Sequence, residues 1–323
     1  MNARFVLDES SWALSAAHQE RLDRAVDALV QRIEVATERG EGVTRHEAFY
    51  STRVTDDCEL YSALFEPDAQ IVLDRDLAER LRIALDHMSV FDETLLTGLD
   101  VQLLGSTTMS PGMSLAHRCR CQKRAMAVLP LPLVEEHRGP LELCVEGEVQ
   151  QVHFVTTEAE HTAFFRELIE IEDVDHDTFP QVAPSAFPAL EWLDPVWTGL
   201  SAHSACFFGD RRDTLVAHLS VLNDEGAQLF HACPGGNGVS ERLSARHVDA
   251  SSENGKARSH RPSIQDRTRT YRGKTLVFWW HTKIRWNEGR IHFAHIPHRP
   301  GSERPPFGHI VIAIFKDHCV LPN

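Results

Sequence analysis

The 323-residue chain has no apolar run approaching the roughly 18–20 residues that span a bilayer, so no membrane helix is expected. Its first residues, MNARFVLDESSW, lack a basic segment followed by an apolar one, so no signal peptide is expected and the expected location is cytoplasmic. A disulfide framework is missing too. The seven cysteines are odd in number and widely spaced, which argues for reduced thiols. In HRCRC, His117, Cys119 and Cys121 lie close together, but no second ligand pair with C-x₂-C spacing accompanies them. Neither a metal nor another cofactor is expected. No internal repeat is found.

The composition that remains is ordinary for a globular protein, with 42% hydrophobic and 25% charged residues. The length suits two domains, each with its own core. The net charge of −14 conceals an asymmetry. Residues 231–323 hold 15 Lys+Arg against 7 Asp+Glu, a balance of +8, while residues 1–230 hold 18 against 40, a balance of −22. Nine of the 19 histidines also fall after residue 230. A basic terminal third on an acidic body points to a polyanionic partner, or to a basic surface that the acidic part covers.

Periodicity predicts amphipathic helices over 16–40, with Gly40 as a C-terminal cap, and over 74–88, with Asp74 as N-cap. A third helix follows Pro111. A short buried strand is expected at 126–133, and a hairpin near 141–145 and 149–155 turning at Glu146–Gly147. Helix is expected again at 157–171 and 211–223. The four prolines of 177–199 predict irregular but packed structure. Residues 233–270 are poor in apolar side chains and rich in Gly, Ser, Arg and His, which predicts a mobile basic insert.

The chemistry is concentrated in "FWWHTKIRWNEGRIHFAHIP" and "HIVIAIFKDH". Strand side chains alternate faces. Phe278, Trp280, Thr282 and Ile284 share one face of the first strand, and Trp279, His281, Lys283 and Arg285 share the other. The returning strand adds Arg290 and His292 to that second face, and Lys316 and His318 end a neighbouring apolar strand. The expected result is an antiparallel sheet with one dry and one basic face. A solvated face normally mixes signs, because like charges opposite one another are unfavourable. A one-sign face with histidines suits an anionic ligand.

Two resemblances attach to these residues. WHTKIRWNEGRIHF…HIVIAIFKDH, together with FVTTEAEHTAFFRELIEIED and APSAFPALEWLDPVWTGL, resembles a large family of uncharacterised bacterial proteins, from about residue 110 onward. The same basic strands resemble the RelE/ParE superfamily of small bacterial toxins. That resemblance implies that His281 and Lys283 match paired basic positions and Arg290 a phosphate-binding arginine. Lys316 or His318 then matches a final basic cluster, and Phe293 a framework aromatic. It further implies a β-α-α-β-β-β order starting at strand 149–155. A late tyrosine of those toxins has no counterpart, and segments 177–199 and 233–270 are foreign to them.

The expected fold is α+β in two domains. An acidic α+β domain would span 1–148. A RelE-like domain, an antiparallel sheet with helices on one face, would span 149–323. The expected activity is metal-independent cleavage of RNA, in a toxin or bacterial-defence setting. His281, Lys283, Arg290 and His318 would be catalytic, acting on a ribose 2′-hydroxyl and its phosphate. Arg285, His292, Lys316 and Trp279 would bind RNA, with the tryptophan stacking on bases. A protein partner is expected on the acidic half. Two alternatives stand beside this: a non-catalytic nucleic-acid-binding or assembly subunit, and a metal-dependent nuclease. Against the last, "IQDRTRTYRGK" offers only Asp266 as a carboxylate beside the strands.

Overall fold

A computed structural model describes residues 3–14, 21–66, 71, 73–92, 96, 98–201, 204, 206–207, 211–286, 288–298, 306–317 and 319. The chain divides into two compact units, Met1–Asp173 and Val174–Asn323.

The first unit is built as β1 (Phe5–Leu7), α1 (Leu22–Glu38), β2 (Val43–His46), the ribbon β3 (Arg53–Thr55) and β4 (Cys58–Glu59), α2 (Leu60–Phe65), α3 (Arg75–His87), β5 (Ser89–Phe91), the hairpin β6 (Asp100–Leu103) and β7 (Ser106–Met109), α4 (Pro111–Cys121), β8 (Ala127–Leu129), β9 (Gly139–Val145), β10 (Glu148–Phe154) and α5 (Glu158–Ile171). Its eight-stranded sheet has the order β5-β2-β1-β8-β10-β9-β6-β7. The first five strands are parallel and the last three join antiparallel. The core joins Val6, Val128 and Phe154 of the strands to Met113 and Ala116 of α4.

Local chemistry explains the elements that were legible. Asp74 Oδ1 accepts from the backbone N–H of Asp76 and Leu77, capping α3. Gly40 follows α1 at φ 70°, the left-handed position that favours glycine at a helix end. Glu146 and Gly147 turn the β9–β10 hairpin with φ of 52° and 85°, as a two-residue hairpin turn requires. Thr157 and Glu160 form a reciprocal capping box on α5.

The parallel core was not expected, because β1, β5 and β8 are three residues long and too short to show a period. The unit boundary also moves from 148 to 173. The strand at 148–154 pairs with β9 along its length and with β8 at Phe154, so its hydrogen bonds hold it in the first sheet. It does not open the second unit, as the toxin-like order would require.

The second unit contains α6 (Phe179–Ala186), β11 (Leu190–Trp192), α7 (Arg211–Val221), α8 (Ala227–His231), α9 (Val239–Ser244), β12 (Ala250–Ser252), α10 (Gly255–Ser259), α11 (Arg261–Asp266), the hairpin β13 (Thr268–Tyr271) and β14 (Lys274–Val277), then β15 (Trp280–Lys283), β16 (Arg290–Ile296) and β17 (His309–Lys316). The five-stranded sheet has the order β11-β17-β16-β15-β12, antiparallel except for β11 beside β17. β17 is buried along nearly all its length, as its unbroken apolar run predicts.

Three expectations change here. The proline-rich segment forms α6, with Pro180 in its first turn, where a missing N–H costs nothing. The helix expected to stop at Asn223–Gly226 instead passes through a π-turn at Leu222–Gly226 into α8. A Cβ on Gly226 would sit 3.0 Å from Ile310 Cγ1, so the glycine lets this turn lie close on β17. The expected mobile insert is ordered. It carries α9, β12, α10 and α11, anchored by buried Val239, Leu243, Val248, Ala250 and Ala257.

Candidate functional site

Register brings the basic strands together. β15 and β16 pair His281 with His292 and Lys283 with Arg290, and β16 pairs Arg290 with Lys316 of β17. The sheet therefore carries a histidine row and, two residues along, a row of three cations. This much follows the sequence pattern.

The surroundings do not. The histidine face is covered: His281 is 7% exposed and His292 1%. Segment 250–267 lies over it. β12 pairs antiparallel with β15, setting Ser251 opposite His281, and the Glu253 N–H donates to the Trp279 carbonyl at 3.0 Å. Asn254 then caps α10, accepting from Ala257 N–H at 3.0 Å. Glu253 is thereby held against the two imidazoles. Among the described residues, Glu253, His281 and His292 bring one ligand atom each within 4.8 Å of one another.

Each member of the group is oriented. Arg267, fully buried, donates Nε and Nη2 to Glu253 Oε1 at 3.0 and 2.7 Å, and Nη1 to the Ser263 carbonyl at 3.0 Å. His292 Nδ1 lies 3.2 Å from the Phe278 carbonyl, which can only accept. Nδ1 therefore carries the hydrogen, and the lone pair sits on Nε2, 3.1 Å from Cys319 Sγ. His281 Nε2 is 3.4 Å from Ser251 Oγ. Its Nδ1 is buried, faces Glu253 Oε1 at 3.6 Å and has no hydrogen-bond partner among the described residues.

Burial controls the charges. It pushes His281 down to about 4, helped by the cations Arg290, Lys283 and Arg267 and opposed by Glu253. It pushes His292 down to about 3, with His281 and Arg267 adding to the effect. The Cys319 thiol is pushed up to about 12, again chiefly by burial. Both imidazoles are neutral near pH 7, the form that offers a lone pair to a metal. A buried nitrogen without a partner, a second imidazole with its tautomer fixed by a carbonyl and a carboxylate steadied by arginine fit a divalent transition ion.

The expected catalytic and RNA-binding residues scatter over several roles. Lys283 Nζ contacts Asp249 Oδ1 at 3.0 Å and Lys316 Nζ contacts Asp266 Oδ1 at 2.7 Å. Arg290 is buried and donates to the carbonyls of Arg285, Trp286 and Gly289, so it braces the β15–β16 turn. Trp279 packs under the Arg258 guanidinium at 5.7 Å. Arg285 is exposed beside Trp286, which is 83% exposed. His318 lies outside the described residues.

Glu253 and Arg267 were missed because they sit in the segment expected to be mobile. The one local signal was Glu-Asn-Gly, a cap sequence directly after a short β-capable run. Comparison with protein-family models, with curated proteins and with solved structures returned no match. Among the described residues, no helix is long and apolar enough to cross a membrane.

Proposed function

We propose that the C-terminal unit is a metal-dependent hydrolase of phosphodiester bonds in nucleic acid. The observation that carries this is the convergence of Glu253, His281 and His292 within 4.8 Å. A divalent ion held there would supply Lewis acidity toward a phosphoryl oxygen and an activated water at neutral pH. Hydrolysis would join the water oxygen to phosphorus as the bond to the leaving oxygen breaks, the water's proton passing to that oxygen. Arg267 holds Glu253 in place, and the Phe278 carbonyl leaves the His292 lone pair on Nε2.

Lys283 and Lys316, half-buried on the strands that carry or flank the histidines, support an anionic substrate. Lys283 pairs with an exposed partner, and such pairs contribute only about 0–1 kcal/mol, so a phosphate can take Asp249's place. Arg285 and Trp286 on the exposed turn suit backbone contact and base stacking.

The test uses the full-length protein, stripped with chelator and reloaded with zinc or manganese, on labelled single-stranded RNA, single-stranded DNA and duplexes. Metal-restored cleavage, lowered at least about tenfold by Glu253→Gln, is expected. Cleavage that survives the chelator would return the metal-free ribonuclease. Salt-dependent binding without cleavage under any metal would return the binding subunit.

A further inference from the structure

A second concentration of chemistry lies in the first unit and is independent of the C-terminal centre. From β1 the parallel strands build outward to β2 and β5, and the chain then returns to place β8 and β10 on the other side. The order reverses between β1 and β8. In open α/β sheets, ligands bind outside the carboxyl ends of strands at such a reversal. The two residues that leave β1 there are Asp8 and Glu9.

Both are buried, Asp8 at 0% exposure and Glu9 at 8%. One oxygen of each is firmly held. Asp8 Oδ1 accepts from Ser10 N–H at 2.9 Å and Ser10 Oγ at 2.7 Å. Glu9 Oε2 accepts from Ser110 Oγ at 2.8 Å and Gly112 N–H at 2.9 Å, at the start of α4. The Ser110 hydroxyl also lies against Asp8, so the two carboxylates converge on it. A Cβ on Gly112 would lie 1.9 Å from the Leu7 carbonyl oxygen and 3.1 Å from Glu9 Oε2. Glycine is what lets the first turn of α4 press onto the end of β1.

The other oxygens, Asp8 Oδ2 and Glu9 Oε1, are buried with no hydrogen-bond partner among the described residues. So is Nδ1 of His137, in the loop after β8. Native interiors rarely leave buried polar atoms unmatched, and an ordered water or an ion is the usual partner when no protein group serves. As carboxylates the two side chains only accept, so a cation or a donor is what would match these oxygens. Two carboxylate oxygens, with water or phosphate oxygens completing the shell, is how hard divalent ions of the magnesium and manganese class are held.

We infer that Asp8 and Glu9 form a hard divalent-cation site at the reversal point of the parallel sheet. Asp8 Oδ2 and Glu9 Oε1 would supply its protein ligands.

Manganese alone is the probe, followed by electron paramagnetic resonance on the full-length protein. The His281→Ala/His292→Ala variant serves as background, so that loss of the C-terminal centre is scored separately. That background should still bind manganese, and adding Asp8→Asn or Glu9→Gln should weaken this binding at least about tenfold, since even outer-shell substitutions cost 10–100-fold. Wild-type protein gives a second measurement that does not depend on a variant folding. Bound Fe²⁺ with ascorbate and peroxide should cut the backbone near residues 8–11 and 110–113. Unchanged manganese affinity in both carboxylate variants, or no cuts at either segment, would overturn the site.

Discussion

The two units bury ionisable groups of opposite kind and treat them alike. In the first, burial at the end of β1 raises Asp8 and pushes Glu9 up to about 7. In the second, burial pushes His218 and His281 down to about 4 and His292 to about 3. In each case loss of water is the largest cause, and it disfavours the charged form whatever its sign. The difference lies in the supports. The carboxylates lean on backbone and hydroxyl donors at a helix start, whereas the imidazoles lean on a buried ion pair, a carbonyl and a neighbouring strand. Hard oxygen donors in one unit and nitrogen donors in the other suit ions of different character.

Breaking the buried ion pair should separate the units most sharply. Arg267→Met leaves Glu253 buried without its partner and should destabilise the C-terminal unit by about 3–5 kcal/mol. Hydrogen exchange should show the loss in residues 250–296, with β1 and β8 unchanged. Equal loss in both units would contradict the separation.

The next effect is a pH slope. His218 is buried and its folded value lies near 4, against an ordinary 6.5. Between these values the unfolded chain binds more protons, so stability rises with pH across this window and is lost as pH falls from about 6.5 to 4. The loss should reach about 3 kcal/mol. His218→Leu should remove this residue's share of the slope, leaving that of His281 and His292, as read by urea melts at pH 4.5 and 7.

Smaller still is Gly112→Ala, which forces α4 off the Leu7 carbonyl and should cost the first unit about 1–3 kcal/mol. Differential scanning calorimetry should show it, without change in the C-terminal centre's metal content. The smallest is Lys283→Ala. It should alter stability by less than about 1 kcal/mol, yet reduce the salt dependence of nucleic-acid binding by about one ion.

Legibility followed element length and side-chain periodicity. The pairing of 280–283 with 290–296 could be read because alternation over a hairpin fixes which residues share a face. The cap of α3 was readable from Asp74, and the ends of α1 and the β9–β10 hairpin from glycines. What covers the basic face could not be read, because β12 is three residues long and its neighbours α10 and α11 are five and six. Segments of that size carry too few apolar positions to show a period, and their order comes from tertiary contacts. Glu253 was hidden for that reason. His281 and His292, and Lys283 and Arg290, pair across β15 and β16, but alternation says nothing of burial or of an acid brought in from a distant segment.

The central claim is that Glu253, His281 and His292 hold a metal. X-ray absorption at the zinc edge, on full-length protein loaded with one equivalent, tests it most directly. The account predicts a shell of nitrogen and oxygen at about 2.0–2.2 Å with imidazole scattering, lost in His281→Ala/His292→Ala. A hydrated-ion spectrum in the wild type, or an imidazole shell unchanged in that variant, would contradict it.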